Sequence, residues 1–176
     1  MKKAITPQKV FALDIHPLSF GYAMFEGPDN LVDWGIKSFR HGVNAVKVPL
    51  NVKLALLFDQ YGPDTVVIKE SRTTNHKKMV GAILNIAQRR RTPVRRISGA
   101  SVRRAFSDES HNKYQIASAI AKRYPELSPR LGLRRKLWQA ETYSMSVFDA
   151  TAIGIAYFMH EAANREIFEG RPMVPR

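Results

Sequence analysis

The chain has 176 residues, 44% of them hydrophobic, and carries 28 Lys and Arg against 15 Asp and Glu, a formal charge of +13. That length and apolar content suit one domain with its own core and exclude a wholly disordered chain. Cysteine is absent, which excludes disulfides, thiolate zinc sites and CxxC redox chemistry.

Met1 to Val10 has no apolar leader core, and no apolar run approaches the ~20 residues that span a bilayer. Cytoplasm is therefore the expected compartment, with no membrane partner. Val10-Phe11-Ala12-Leu13-Asp14-Ile15 is a short apolar run that predicts a buried strand with one acid near its end. Phe20 to Phe25 predicts a second strand. Gly27-Pro28-Asp29-Asn30 is turn chemistry, and Leu31 to Ile36 predicts a third strand. Three strands with tight links imply an antiparallel meander.

The period then changes. Val46, Leu50, Leu54, Leu57 and Phe58 predict a helix over 43–61, with Pro49 in its first turn or kinking it. Gly62-Pro63-Asp64 stops it. Thr65 to Ile68 predicts a fourth strand, parallel to the first because a helix connects back to it. Val80, Ile83, Leu84 and Ala87 predict a helix ending in Arg89-Arg90-Arg91, where cations suit the dipole. Pro93 to Ile97 predicts a short fifth strand. Asn112 reads as the cap of a helix running to Tyr124. Pro125 to Gly132 reads as a loop, and a last helix is predicted from about Asp149 to about Arg165. The expected fold class is α/β, a mixed five-stranded sheet flanked by helices, as one domain over 1–176. Its core spans about 10–165, with a flexible tail at 166–176.

The charge is uneven. From Ser71 to Ser107 there is no acid, yet the stretch holds Arg72, Lys77, Lys78, Arg89, Arg90, Arg91, Arg95, Arg96, Arg103 and Arg104. A second cluster is Arg130, Arg134, Arg135 and Lys136. Such a surface repels itself unless a polyanion binds it, and nucleic acid is the expected partner. Trp138 beside the second cluster suits stacking on a base, or the core.

Three acids stand at distinctive places: Asp14 and Glu70 at the ends of strands one and four, and Asp149 at the start of the last helix. Adjacent parallel strands put Asp14 and Glu70 side by side at the carboxyl edge, where ligands bind in such sheets. Clustered carboxylates repel unless a cation joins them. Mg²⁺ is held by a few carboxylates, and two ions ~3.5–4 Å apart can activate water and stabilise a leaving oxygen. Each acid also has a plainer reading, Asp149 as a helix cap, Asp14 as a turn residue and Glu70 as an ion-pair partner. His16 reads as an extra ligand, a proton relay or a turn cap.

In this order the chain resembles RuvC-type Holliday junction resolvases of the RNase H-like superfamily, over about residues 10–160. The residues that carry the resemblance are Asp14 followed by Gly21-Tyr22-Ala23, then strand-end Glu70, then Lys113-Tyr114-Gln115-Ile116, then Asp149-Ala150-Thr151-Ala152. The chain departs from the family at Ile15-His16, Thr73, Asp108-Glu109-Ser110 and Ser146, the last where the family has a further acid or His. Glu141 offers a replacement ligand from upstream.

The resemblance implies an RNase H-like fold and a metal-dependent endonuclease, a homodimer cutting branched DNA with Mg²⁺ or Mn²⁺, two ions per site. Its implied metal ligands are Asp14, Glu70, Asp149 and Glu141, with Lys113 as a catalytic cation. Nucleic acid is expected on Arg72, Lys77, Lys78, Arg89, Arg90, Arg91, Arg103, Arg104, Arg134, Arg135 and Lys136. The alternative is an RNase H-like module that grips nucleic acid without cutting. An actin-like ATPase also opens on a strand-end Asp, but it needs a duplicated half that this chain is too short to hold.

Overall fold

The structure is a computed structural model that describes residues 7–38, 49–70, 76–106, 112–132 and 144–169, with side chains described to 165. Strands β1 (Lys9–His16), β2 (Ser19–Glu26) and β3 (Leu31–Ser38) form the antiparallel meander. Helix α1 (Leu50–Tyr61) leads to β4 (Thr65–Lys69), and α2 (Lys77–Arg89) leads to β5 (Val94–Ile97). Helices α3 (Gly99–Ala105), α4 (Lys113–Arg123) and α5 (Met145–Glu169) complete the chain. The sheet order is β3-β2-β1-β4-β5, with β4 and β5 parallel to β1.

β1 lies at the centre, and its side chains alternate between two cores. Val10 and Ala12 face one core, with Ala23 and Phe25 of β2, Val67 of β4, and helices α4 and α5. Phe11 and Leu13 face the other, with Phe20 and Met24 of β2, Leu50, Leu54 and Phe58 of α1, and Met79, Ile83 and Ala87 of α2. A strand covered on both faces must be apolar throughout, which is why β1 reads as a continuous run. Helix α5 is buried nearly all round between Val147 and Tyr157, and its apolar residues do not form one narrow stripe.

Several expected boundaries are corrected. α1 begins at Leu50 with Pro49 before it, because Pro lacks the N–H that an inner turn needs; residues 43–48 lie outside the described residues. Its end is as read: Gly62 takes a left-handed φ of 54°, and its N–H bonds Phe58 O at 2.9 Å. The short α3 was not expected, since it buries no residue and so has no apolar stripe. It is started by Ser98, whose hydroxyl accepts from the Ser101 N–H at 3.0 Å. The expected loop after α4 contains a 3₁₀ turn, Pro125–Arg130, pinned by buried Leu127. α5 starts at Met145, so Asp149 stands inside the helix and is not its cap.

Candidate active site

Asp14 sits near the end of β1, opposite Gly21 of β2. A Cβ at Gly21 would overlap the carbonyl and hydroxyl oxygens of Ser146. Glycine there lets the first turn of α5 close on the sheet, and Ser146 Oγ donates to Asp14 Oδ2 at 2.8 Å. His16 is two residues along the same strand and so on the same face. Its Nε2 lies 2.7 Å from the same Asp14 oxygen. Asp14 is only 8% exposed. Burial pushes its carboxyl up, but the hydrogen bond and charge of His16, with Ser146 and Lys113, outweigh this and hold it below its ordinary value. The hydrogen bond to Asp14 raises His16 in turn, against its own partial burial.

Asp149, one turn into α5, faces Lys113 Nζ at 2.7 Å. Lys113 is the first residue of α4. Its place is set by a reciprocal cap: Asn112 Oδ1 accepts from the Gln115 N–H at 3.0 Å, and Gln115 Oε1 accepts from the Asn112 N–H at 3.0 Å. Glu70 follows β4 directly, and its N–H is held by Ile97 O at 2.9 Å, so β5 fixes its backbone. The β1–β4 register pairs Leu13 with Ile68, which sets Asp14 level with Lys69 and Glu70 one residue further on.

These residues line one cleft of about 380 Å³, formed by Asp14, Ile15, His16, Lys69, Glu70, His76, Val80, Lys113 and Asp149. Among the described residues no three His, Asp or Glu side chains close on a single point as a metal cage does. The donor chemistry nonetheless suits a hard divalent ion, because carboxylates from three elements share one wall-to-wall space. Asp149 already pairs with the Lys113 ammonium, and Asp14 with the His16 imidazole.

No protein-family model matches the sequence, and no curated protein matches it. Solved structures do match in shape. A Thermus thermophilus RuvC in complex with Holliday junction substrate superposes with a TM-score of 0.60, covering 88% of this chain and 96% of its own, at 17% identity. A second Thermus thermophilus RuvC structure gives 0.61 over 89% and 97%, at 16% identity. The fold is that of RuvC.

The RuvC-like sheet brings Asp14, Glu70, Asp149 and Lys113 together in the cleft. Lys77 and Lys78 are exposed beside His76, at the rim. Arg103 and Arg104 are exposed on α3, where Arg103 and Lys69 both approach Gly99. Arg89, Arg90 and Arg91 are at the other end of α2, a 13-residue helix that spans ~20 Å. Arg90 there bonds Asp59 Oδ1 through Nε at 3.0 Å and covers the Phe58 ring at 5.7 Å. Arg72, Arg134, Arg135, Lys136, Trp138 and Glu141 lie outside the described residues. Sequence reading missed His76 and Lys69 as cleft residues, since His76 precedes a helix without any capping signal and Lys69 ends an apolar strand. It also missed the part of Ser146, which only the packing at Gly21 reveals.

Among the described residues, no helix is long and apolar enough to cross a membrane.

Proposed function

We propose that the chain is a structure-selective endonuclease that cuts phosphodiester bonds in branched DNA, working as a homodimer on a two-fold four-way junction. The observation that carries this reading is Asp14, Glu70 and Asp149 on one cleft, with Lys69, His76 and Lys113 between them. The fold supports it, since one of the RuvC structures it matches holds Holliday junction substrate.

Asp14, Glu70 and Asp149, with Glu141 as a further ligand, would hold Mg²⁺ or Mn²⁺, two ions in the full reading. When bound, such ions polarise the phosphate and make water nucleophilic at neutral pH. The chain's own groups supply the rest. Ser146 and His16 fix the Asp14 carboxylate. Lys113, seated at the start of α4, neutralises charge that builds on the phosphate oxygens. Lys77, Lys78, Arg103 and Arg104, with Arg72, Arg134, Arg135 and Lys136, grip backbone phosphates. Arg89, Arg90 and Arg91 serve a more distant stretch of duplex.

The test is a labelled four-way junction in Mg²⁺ and in Mn²⁺, beside a flap and an RNA–DNA hybrid. Asp14→Asn is expected to abolish cutting of the junction and leave binding intact; a variant that still cuts overturns the assignment. Binding is expected to weaken steeply with salt, by a log–log slope of about −0.9 for each phosphate neutralised. Sedimentation with and without junction checks the dimer.

One observation favours a second reading, a module that binds junctions without cutting them. Asp149 has a cation of the chain itself, Lys113, at 2.7 Å, and Asp14 is engaged by His16 at 2.7 Å. Junction binding by the wild type with no cleavage in either metal would select it.

A further inference from the structure

Resting on the nuclease reading above, we propose that His16 is a metal ligand alongside Asp14, and that its imidazole makes the cleft favour Mn²⁺ over Mg²⁺. Three observations on the strand lead there. Asp14 and His16 are separated by one residue, so the pleat points both side chains to the α5 face. The His16 side chain is 44% exposed, so its ring is open to the cleft it lines, while Asp14 is held down by Ser146. Nε2 and Oδ2 stand 2.7 Å apart. That is close to the ~3 Å between neighbouring corners of an octahedron with ~2.1 Å bonds, so an ion beside the N···O line can reach both atoms once the ring turns its lone pair toward it.

The choice of ion follows from donor chemistry. Mg²⁺ takes carboxylate and water oxygens and gains little from imidazole. First-row transition ions accept imidazole nitrogen readily. An all-oxygen wall of Asp14, Glu70 and Asp149 serves either ion; adding one nitrogen separates them. His16 occupies a strand position whose backbone is fixed by pairing with Ser19, so the ring is delivered by the sheet and not by a loop.

The experiment uses the full chain with Mn²⁺ and Mg²⁺ alone, without DNA. Bound Mn²⁺ in the wild type is expected to show nitrogen hyperfine coupling by electron-spin-echo spectroscopy. His16→Gln, which keeps a hydrogen-bond donor for Asp14, is expected to lose that coupling. It should also weaken Mn²⁺ at least ~10-fold by titration calorimetry while Mg²⁺ changes less than ~3-fold. Absence of nitrogen coupling in the wild type, its persistence in the variant, or an equal loss for both ions overturns the proposal. Asp14→Asn separates the two layers. If it loses both ions while His16→Gln changes neither, His16 is no ligand and the carboxylate site stands. If it binds both ions as the wild type does, the carboxylate site falls, and His16 with it.

Discussion

The two faces of the central sheet are packed by different means. The face toward α1 and α2 is filled with large rings and branched chains: Phe11, Phe20, Leu13, Met24 and Phe58. Phe11 meets Phe58 edge-on at 5.6 Å and Tyr22 at 5.9 Å. The face toward α5 holds rings too, such as Phe25 and Phe148, but small residues stand among them where the helix crosses the sheet. Ala12 and Ala23 lie on the sheet, Ala150 and Ala152 on the helix, and Gly21 and Gly154 have no room for a Cβ. Large side chains hold layers apart; small ones let a helix approach. Only the close face brings α5 and α4 side chains to Asp14, while His76 and Val80 reach the same cleft from the α2 side. Stability can therefore be lost from either face, but the seating of Asp14 against Ser146 depends on the close one.

The largest effect on the rate is expected at Gly21. Gly21→Ala forces a methyl group into Ser146 and pushes the first turn of α5 off β1. Overpacking of this kind costs ~1–3 kcal/mol, and displacement of reacting groups by ~1 Å costs on the order of 10²-fold in rate. Urea unfolding and single-turnover junction cutting are expected to show both losses together. Phe58→Ala probes the opposite face. It should cost ~3–5 kcal/mol by urea unfolding, yet leave the rate per folded molecule within about twofold. A rate loss as large as that of Gly21→Ala would mean that the faces are not separable.

Smaller still is the cap of α4. Asn112→Ala removes the acceptor for the Gln115 N–H and is expected to cost ~1 kcal/mol. Because Lys113 adjoins the cap, the rate should fall by more than that loss of stability explains; an unchanged rate would detach Lys113 from the chemistry.

The smallest effect is in pH. Asp14 is lowered in the fold, so its contribution holds above its unfolded value and is lost as pH falls through the folded one. His16 is raised, so its contribution holds below its unfolded value and is lost as pH rises through the folded one. The stability difference between the wild type and His16→Gln should thus be largest between about pH 4 and 6.5 and shrink on either side. A difference that grows steadily above pH 7 would show that the pair does not act as charges.

Tyr22 and Tyr61 both donate to Asp33 Oδ2, at 3.0 and 2.6 Å, tying β3 to the end of α1. Burial first, and then Asp33, pushes the Tyr61 hydroxyl up to about 12. This network lies away from the cleft residues and is a structural tie on the ring-packed side.

Much of the fold was legible because local pattern and final structure agree. β1 is apolar on both faces and reads as a buried strand; Asn112 reads as a helix cap, and the structure adds Gln115 to make a full capping box. What was misread had no local signal of its own. Helix α3 has no buried stripe, the 3₁₀ turn contains two prolines that read as loop, and α5 starts four residues before the acid that seemed to cap it. Among the cleft residues, Asp14 and Glu70 were legible because strands with a single terminal acid are conspicuous, and Lys113 because Lys113-Tyr114-Gln115-Ile116 resembles a family element.

By itself, then, the sequence determined the strands of the sheet, the larger helices between and after them, the cationic stretch and the acids at strand ends. These follow from periodicity and charge, which act over a few residues. Tertiary structure alone decided that Ser146 closes on Gly21, that Lys113 pairs with Asp149, and that His76 and Lys69 share the cleft. The reason is distance along the chain. Asp14 and Ser146 are 132 positions apart, and what joins them is the depth to which a helix can pack where a side chain is missing.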